Sequence, residues 1–141
     1  MIQRRQTIWL LLAAIFAFLY TQVPLYESTN AAAQPLKFVA TESLLLFAVS
    51  IAIGLIAVTA IFLFKNRKTQ FKLTMLGLLA SIALIVLEVW QIGTFQTNNA
   101  ITKASYSWGS LLPIAMVVLF IMAASGIRKD DKLVKSLDRL R

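Results

Sequence analysis

The stretch Lys65-Asn66-Arg67-Lys68-Thr69-Gln70-Phe71-Lys72 carries four positive charges and no negative one. It lies between two long apolar runs, residues 43–64 and 73–92. A helix over the first run rises about 33 Å, enough to cross a bilayer core of ~30 Å with some tilt. A cationic cluster between two such runs is the turn of a membrane hairpin, and it stays in the cytoplasm because Lys and Arg in short loops set orientation. The rest of the chain takes its position from that turn.

Two further apolar runs, 8–25 and 108–127, flank the hairpin. With 59% hydrophobic and 14% charged residues, the chain exceeds the ~45–50% apolar share of soluble domains. The expected fold is all-α: a four-span transmembrane bundle with antiparallel neighbours over residues 1–127, spans near 8–25, 43–64, 73–92 and 108–127. Residues 128–141 form a separate basic tail. A secretory signal also opens with arginines and an apolar core. Ala31-Ala32-Ala33, however, lies about ten residues beyond that core, past Pro24 and Glu27, too far for such a cleavage site. The first run is therefore expected to stay as a span.

Twelve of the fourteen Lys and Arg residues fall on one side of this layout: Arg4, Arg5, the four hinge cations, and Arg128, Lys129, Lys132, Lys135, Arg139 and Arg141. Lys37 and Lys103 fall on the other. That asymmetry predicts cytoplasmic termini. The net charge of +8 is thus assigned to topology before nucleic acid.

Between the spans, residues 26–41 read as a polar loop, with Thr41 capping the next helix and Glu42 at its positive end. In the second outer loop, 93–107, an Asn98-Asn99 turn predicts a small hairpin of Thr94-Phe95-Gln96 with Ile101-Thr102. Pro113 suits a first helical turn, and Gly126 marks a weak point at the end of the last span. Beyond it Leu133, Val134, Leu137 and Leu140 recur at helical spacing, which predicts a short amphipathic cytoplasmic helix.

The two ends carry a resemblance. Met1-Ile2-Gln3-Arg4 running into Thr7-Ile8-Trp9-Leu10-Leu11-Leu12, and the close Ile127-Arg128-Lys129-Asp130-Asp131-Lys132-Leu133-Val134-Lys135-Ser136-Leu137-Asp138-Arg139-Leu140-Arg141, resemble an uncharacterised family of small four-span membrane proteins of Bacteroidota, classed as a domain of unknown function. The resemblance implies a bacterial inner-membrane location. It carries no activity and no functional residue.

Chemistry is narrowed mainly by absence. Without His or Cys, the usual haem and zinc ligands, the default general base and all thiol chemistry are missing. No cofactor, metal or catalytic group is expected. Glu88, near Gln91, is the ionisable residue deepest in an apolar run, and such residues are functional hypotheses. It either forms a proton or cation site or reaches the headgroups and pairs with Lys37 or Lys103. Ser50 with Gly54, and Gly77 with Ser81, are small-xxx-small pairs that let helices approach closely, expected to hold spans two and three together. Lys103 and Ser107 have the spacing of a Ser–Lys dyad, a spacing common by chance in polar loops. The basic hinge, Lys65, Arg67, Lys68 and Lys72, sets topology and is suited to anionic lipid. It also admits contact with an acidic partner or ribosomal RNA, although no RNA-binding motif supports that. Leu133, Leu137 and Leu140 offer an apolar face to a partner or to the bundle's own ends.

The expectation is a non-catalytic integral inner-membrane protein, an accessory or scaffold subunit of a larger complex such as one for protein translocation or envelope biogenesis. The partners would be the lipid bilayer and a membrane protein. The alternative is a small oligomeric transporter coupled to protons or cations through Glu88.

Overall fold

The structure, a computed structural model, describes residues 5–30, 32–99 and 101–138, apart from the side chains of Thr102, Leu137 and Asp138. The contacts expected of Leu137 and Leu140, and the cations Arg4, Arg139 and Arg141, lie outside what is described. Among the described residues there are four α-helices and three strands: α1 (Arg5–Tyr20), β1 (Pro24–Asn30), β2 (Pro35–Val39), α2 (Leu44–Phe62), α3 (Arg67–Asn98), β3 (Ile101–Tyr106) and α4 (Leu112–Asp138). Short 3-10 turns, Ala40–Glu42 and Trp108–Leu111, lead into α2 and α4. Three helices, α2, α3 and α4, are long and apolar enough to cross a membrane.

The surface of the helices is inverted relative to a soluble protein. Leu11, Leu55, Leu79, Val86 and Val118 are at least half exposed, whereas Gln6, Ser50, Gln70, Thr74, Ser81 and Glu88 are buried. A soluble fold would spend its hydrophobic gain the other way round. In lipid there is no such gain between helices, and small or polar residues form the contacts.

α1 ends earlier than the apolar run does. Its 16 residues rise about 24 Å. Pro24 has no amide to continue the ladder and disfavours helix at Val23 before it. Instead Thr21 Oγ1 donates to the Phe18 carbonyl at 2.7 Å, closing the last turn, and Leu25 passes into β1.

The polar loop expected over 26–41 is a β-hairpin, so the chain is not all-α. β1 pairs antiparallel with β2, Glu27 opposite Lys37, and with β3, Tyr26 opposite Tyr106, giving the order β2-β1-β3. Asn30 Oδ1 accepts from the amides of Ala32 at 3.1 Å and Gln34 at 2.9 Å, which shapes the hairpin turn. The hairpin expected within 93–107 does not form. α3 runs on through Thr94, Phe95 and Gln96, with Thr94 and Thr97 back-bonding to Trp90 and Gly93. Ile101–Tyr106 is a strand, but its partner is the distant β1. Sheet and helices are joined by aromatic contacts: Tyr26 sits edge-on to Phe95 with centroids 6.4 Å apart, and Phe38 lies 5.1 Å from Phe95.

At the other end the turn is tighter than the basic stretch suggested. Asn66 caps α3 by accepting from the Thr69 amide at 3.3 Å, so Arg67, Lys68 and Lys72 are already helical. The α2 cap is Ser43, which accepts from the Leu46 amide at 3.5 Å. Thr41 and Glu42 belong to the preceding 3-10 turn. Gly126 is not a break. α4 passes through it to Asp138, and a Cβ there would lie 3.2 Å from Gln6 Cβ, so the glycine sets the approach of α1 to α4. As far as Asp138 the basic tail is therefore the last turns of α4, not a separate short helix.

Lengthwise, α1 packs on α2 and α4, and α3 packs on the same two. α1 and α3 face each other across the interior.

Candidate functional site

The side chains α3 turns inward are Gln70, Thr74, Gly77, Ser81, Leu84, Glu88 and Ile92. Their steps of four or three keep one helical face, and five of the seven are polar or glycine. Thr74 Oγ1 donates to the Gln70 carbonyl and Ser81 Oγ to that of Gly77, both at 2.8 Å. Gln70 Nε2 donates to the Ala60 carbonyl of α2 at 3.0 Å. At the sheet end of the stripe, Tyr20 Oη donates to Glu88 Oε2 at 3.1 Å. Tyr20 is fully buried and Glu88 is 4% exposed.

This corrects one branch of the expectation for Glu88. It turns inward to Tyr20 and does not pair with Lys37 or Lys103. Lys37 pairs with Glu27 at 3.4 Å, and Lys103 is exposed on β3. Tyr20 closes the first apolar helix. Only the pairing across the fold reveals it as an interior donor, and no local signal distinguished it from Tyr106, which is 56% exposed. Gln91 is half-buried beside the stripe.

The small residues act, but on other partners than expected. A Cβ on Gly54 would lie 2.9 Å from Phe18 Cζ of α1, and one on Gly77 would lie 2.5 Å from Phe120 Cε1 of α4. Each glycine seats a phenyl ring from a different neighbour, so neither sits chiefly at the α2–α3 contact. Ser50 turns its hydroxyl back to the Phe47 carbonyl at 2.9 Å. Lys103 and Ser107 form no dyad: Lys103 lies on an extended strand, where a four-residue step covers about 13 Å.

At the opposite end, cations from three helices converge. Arg67 Nη1 of α3 donates to the Asp130 carbonyl of α4 at 3.1 Å. Arg128 lies 4.7 Å over the Phe71 ring, a cation–π contact between α4 and α3. One cavity of about 370 Å³ is bordered by Arg5, Gln6, Arg67 and Lys129, and a second of about 330 Å³ by Lys68, Phe71, Lys132 and Lys135. Lys65 and Lys72 are exposed. Lys135 bonds Asp131 at 2.6 Å one turn away. That hydrogen bond, aided by the charges of Lys135, Arg67 and Lys68, holds the Asp131 carboxyl below its usual range. Leu133 is 64% and Val134 39% exposed.

Over residues 2–140 the chain matches the family described as domain of unknown function (DUF4293). The chain belongs to that family. Neither a curated protein nor a solved structure matches it. Among the described residues of this DUF4293 chain, no group of three or more acidic side chains is gathered as metal ligands would be.

Proposed function

We propose that this DUF4293 chain is a non-catalytic, four-span bundle of the bacterial inner membrane with both termini cytoplasmic, acting as an accessory or scaffold subunit of a larger membrane complex. The observation that carries the reading is the end of α4. The apolar run stops at Ile127, yet the helix continues to Asp138 and leaves Leu133 largely and Val134 partly exposed beyond it. Exposed apolar side chains on a charged helix beyond the apolar run are suited to a groove on a partner protein. The chain's own helices leave Leu133 mostly bare, which favours a partner over self-contact.

The test is Leu133→Asp with Val134→Asp in the intact chain. Insertion and yield should be preserved, while migration on native gels falls from a large assembly to the isolated protein. Unchanged migration of the double variant in the large assembly contradicts the subunit role.

One observation favours a second reading, a small oligomeric proton- or cation-coupled transporter using Glu88: the carboxylate turns inward on a polar stripe. Against it, the larger cavities at the basic end and on the sheet are lined by other residues. Loss of proton-coupled flux in proteoliposomes on Glu88→Gln would favour this reading.

A further inference from the structure

We propose that the basic ends of α1, α3 and α4 form a binding site for the phosphate of an anionic membrane phospholipid. The site is the cavity of about 370 Å³ bordered by Arg5, Gln6, Arg67, Gly126, Lys129 and Asp130, with Leu133 and Val134 completing its wall. Its size falls at the lower end of the ~300–1,000 Å³ range of small-molecule pockets, fitting a headgroup rather than a whole lipid.

Three helices each contribute one cation, and a single carboxylate shares the cavity, so the wall carries a net charge of about +2. The carboxylate offsets one of the three charges, and the remaining excess favours a further anion. Arg67 is already oriented by its bond to the Asp130 carbonyl at 3.1 Å. A guanidinium has five N–H donors in a rigid fork, which leaves others for a phosphate oxygen.

Gln6 supplies the second line of argument. It is 2% exposed, and neither its side-chain nitrogen nor its oxygen has a hydrogen-bond partner. A buried amide left unsatisfied is costly, and each such group calls for an explanation. Gly126 brings α4 against Gln6 and fixes the amide at the cavity wall. A phosphate drawn in by the three cations gives Gln6 Nε2 the acceptor it lacks.

Depth points to a lipid over free phosphate. The apolar run of α4 ends at Ile127, and on that helix the cavity runs from Gly126, at the end of the run, out to Val134 beyond it. On the spanning reading proposed above, on which this inference rests, that is the headgroup level of the cytoplasmic leaflet. Basic pockets between helices at this level take anionic headgroups.

The experiment is native mass spectrometry of the full chain in mild detergent, titrated separately with phosphatidylglycerol, phosphatidylcholine and inorganic phosphate. Phosphatidylglycerol should bind and phosphatidylcholine should not. At ~1 kcal/mol per cation near a membrane surface and 1.4 kcal/mol per tenfold, Arg5→Gln with Lys129→Gln should weaken binding about 30-fold. The charge-retaining pair Arg5→Lys with Lys129→Arg should bind like the parent, and Lys37→Gln with Lys103→Gln, at the far end, should change nothing. Gln6→Leu should weaken binding while raising the lipid-free melting temperature, because it removes the orphan amide. Parent-like binding by the Arg5→Gln, Lys129→Gln pair overturns the site. Displacement of phosphatidylglycerol by inorganic phosphate at equal concentration overturns the lipid as its occupant. Leu133 and Val134 border the same cavity, so the subunit role is distinguished by the Arg5→Gln, Lys129→Gln pair, which keeps both side chains: it should lose the lipid and still migrate in the large assembly.

Discussion

The Tyr20 hydroxyl and the Glu88 carboxyl, 68 positions apart, meet at 3.1 Å across the interior of the helices. Tyr20 is the last residue of α1, and Glu88 lies about six turns into α3, which starts at Arg67. Their bond links the two helices that do not pack lengthwise on each other. It therefore sets how far the short α1 stands along the long α3.

Removing the donor alone should be costly. Tyr20→Phe leaves a buried Glu88 oxygen without its partner, and a loss of about 1–3 kcal/mol is expected. Glu88→Gln keeps an acceptor for the phenol and should stay nearer the parent. Tyr20→Phe combined with Glu88→Leu removes both polar groups and should recover much of the loss. Melting temperatures of the parent, Tyr20→Phe, Glu88→Leu and the double variant in one detergent give the coupling by a double-mutant cycle. Additive effects would mean that the two groups do not interact.

Gly77→Ala should destabilise more than Gly54→Ala. The ring in the way at Gly77 belongs to Phe120, which is fully buried and has nowhere to move; at Gly54 it belongs to Phe18, which is 41% exposed and can swing out. Overpacking of the first kind costs about 1–3 kcal/mol. At Gly93 an added Cβ meets nothing within 4 Å, and alanine there should be neutral or stabilising by up to ~1 kcal/mol through helix propensity. Thermal unfolding of the three variants checks the order, and a Gly77→Ala protein as stable as the parent would refute the contact.

How much of this was legible beforehand follows from where each signal resides. The long helices were legible because apolar length is a property of one segment. The sheet was not, because β3 pairs with β1 some seventy-five residues away, and Ile101–Tyr106 by itself resembles half of a local hairpin. Glu88 stood out as a charge in an apolar run. Its companions Gln70 and Thr74 did not, since in lipid the face worth reading is the polar one, and these two lie in or next to a stretch dominated by its cations. The glycine spacings were visible, but the phenyl rings they seat come from helices whose neighbourhood only the fold decides. α1 appeared longer in sequence because Val23 and Leu25 are apolar, although Pro24 between them had already marked the end.

In the hairpin turn, Ala33 sits at φ 58°. An L-residue pays about 1–2 kcal/mol for the left-handed region, while glycine adopts it freely at some cost in chain entropy. Ala33→Gly should leave stability unchanged or raise it by up to ~1 kcal/mol, and should slow amide exchange in β1 and β2. Faster exchange in both strands would contradict the turn geometry.

The most direct test of the account is sidedness. The chain has no native cysteine, so single cysteines can be placed at the exposed positions Lys37 and Ala104 on the sheet, Lys68 at the start of α3 and Lys132 on the extension of α4. In intact spheroplasts an impermeant maleimide should label positions 37 and 104 and spare 68 and 132 until the cells are lysed. Labelling of 68 without lysis, or protection of 37 while 104 reacts, would contradict four spans with the sheet outside and the basic ends within.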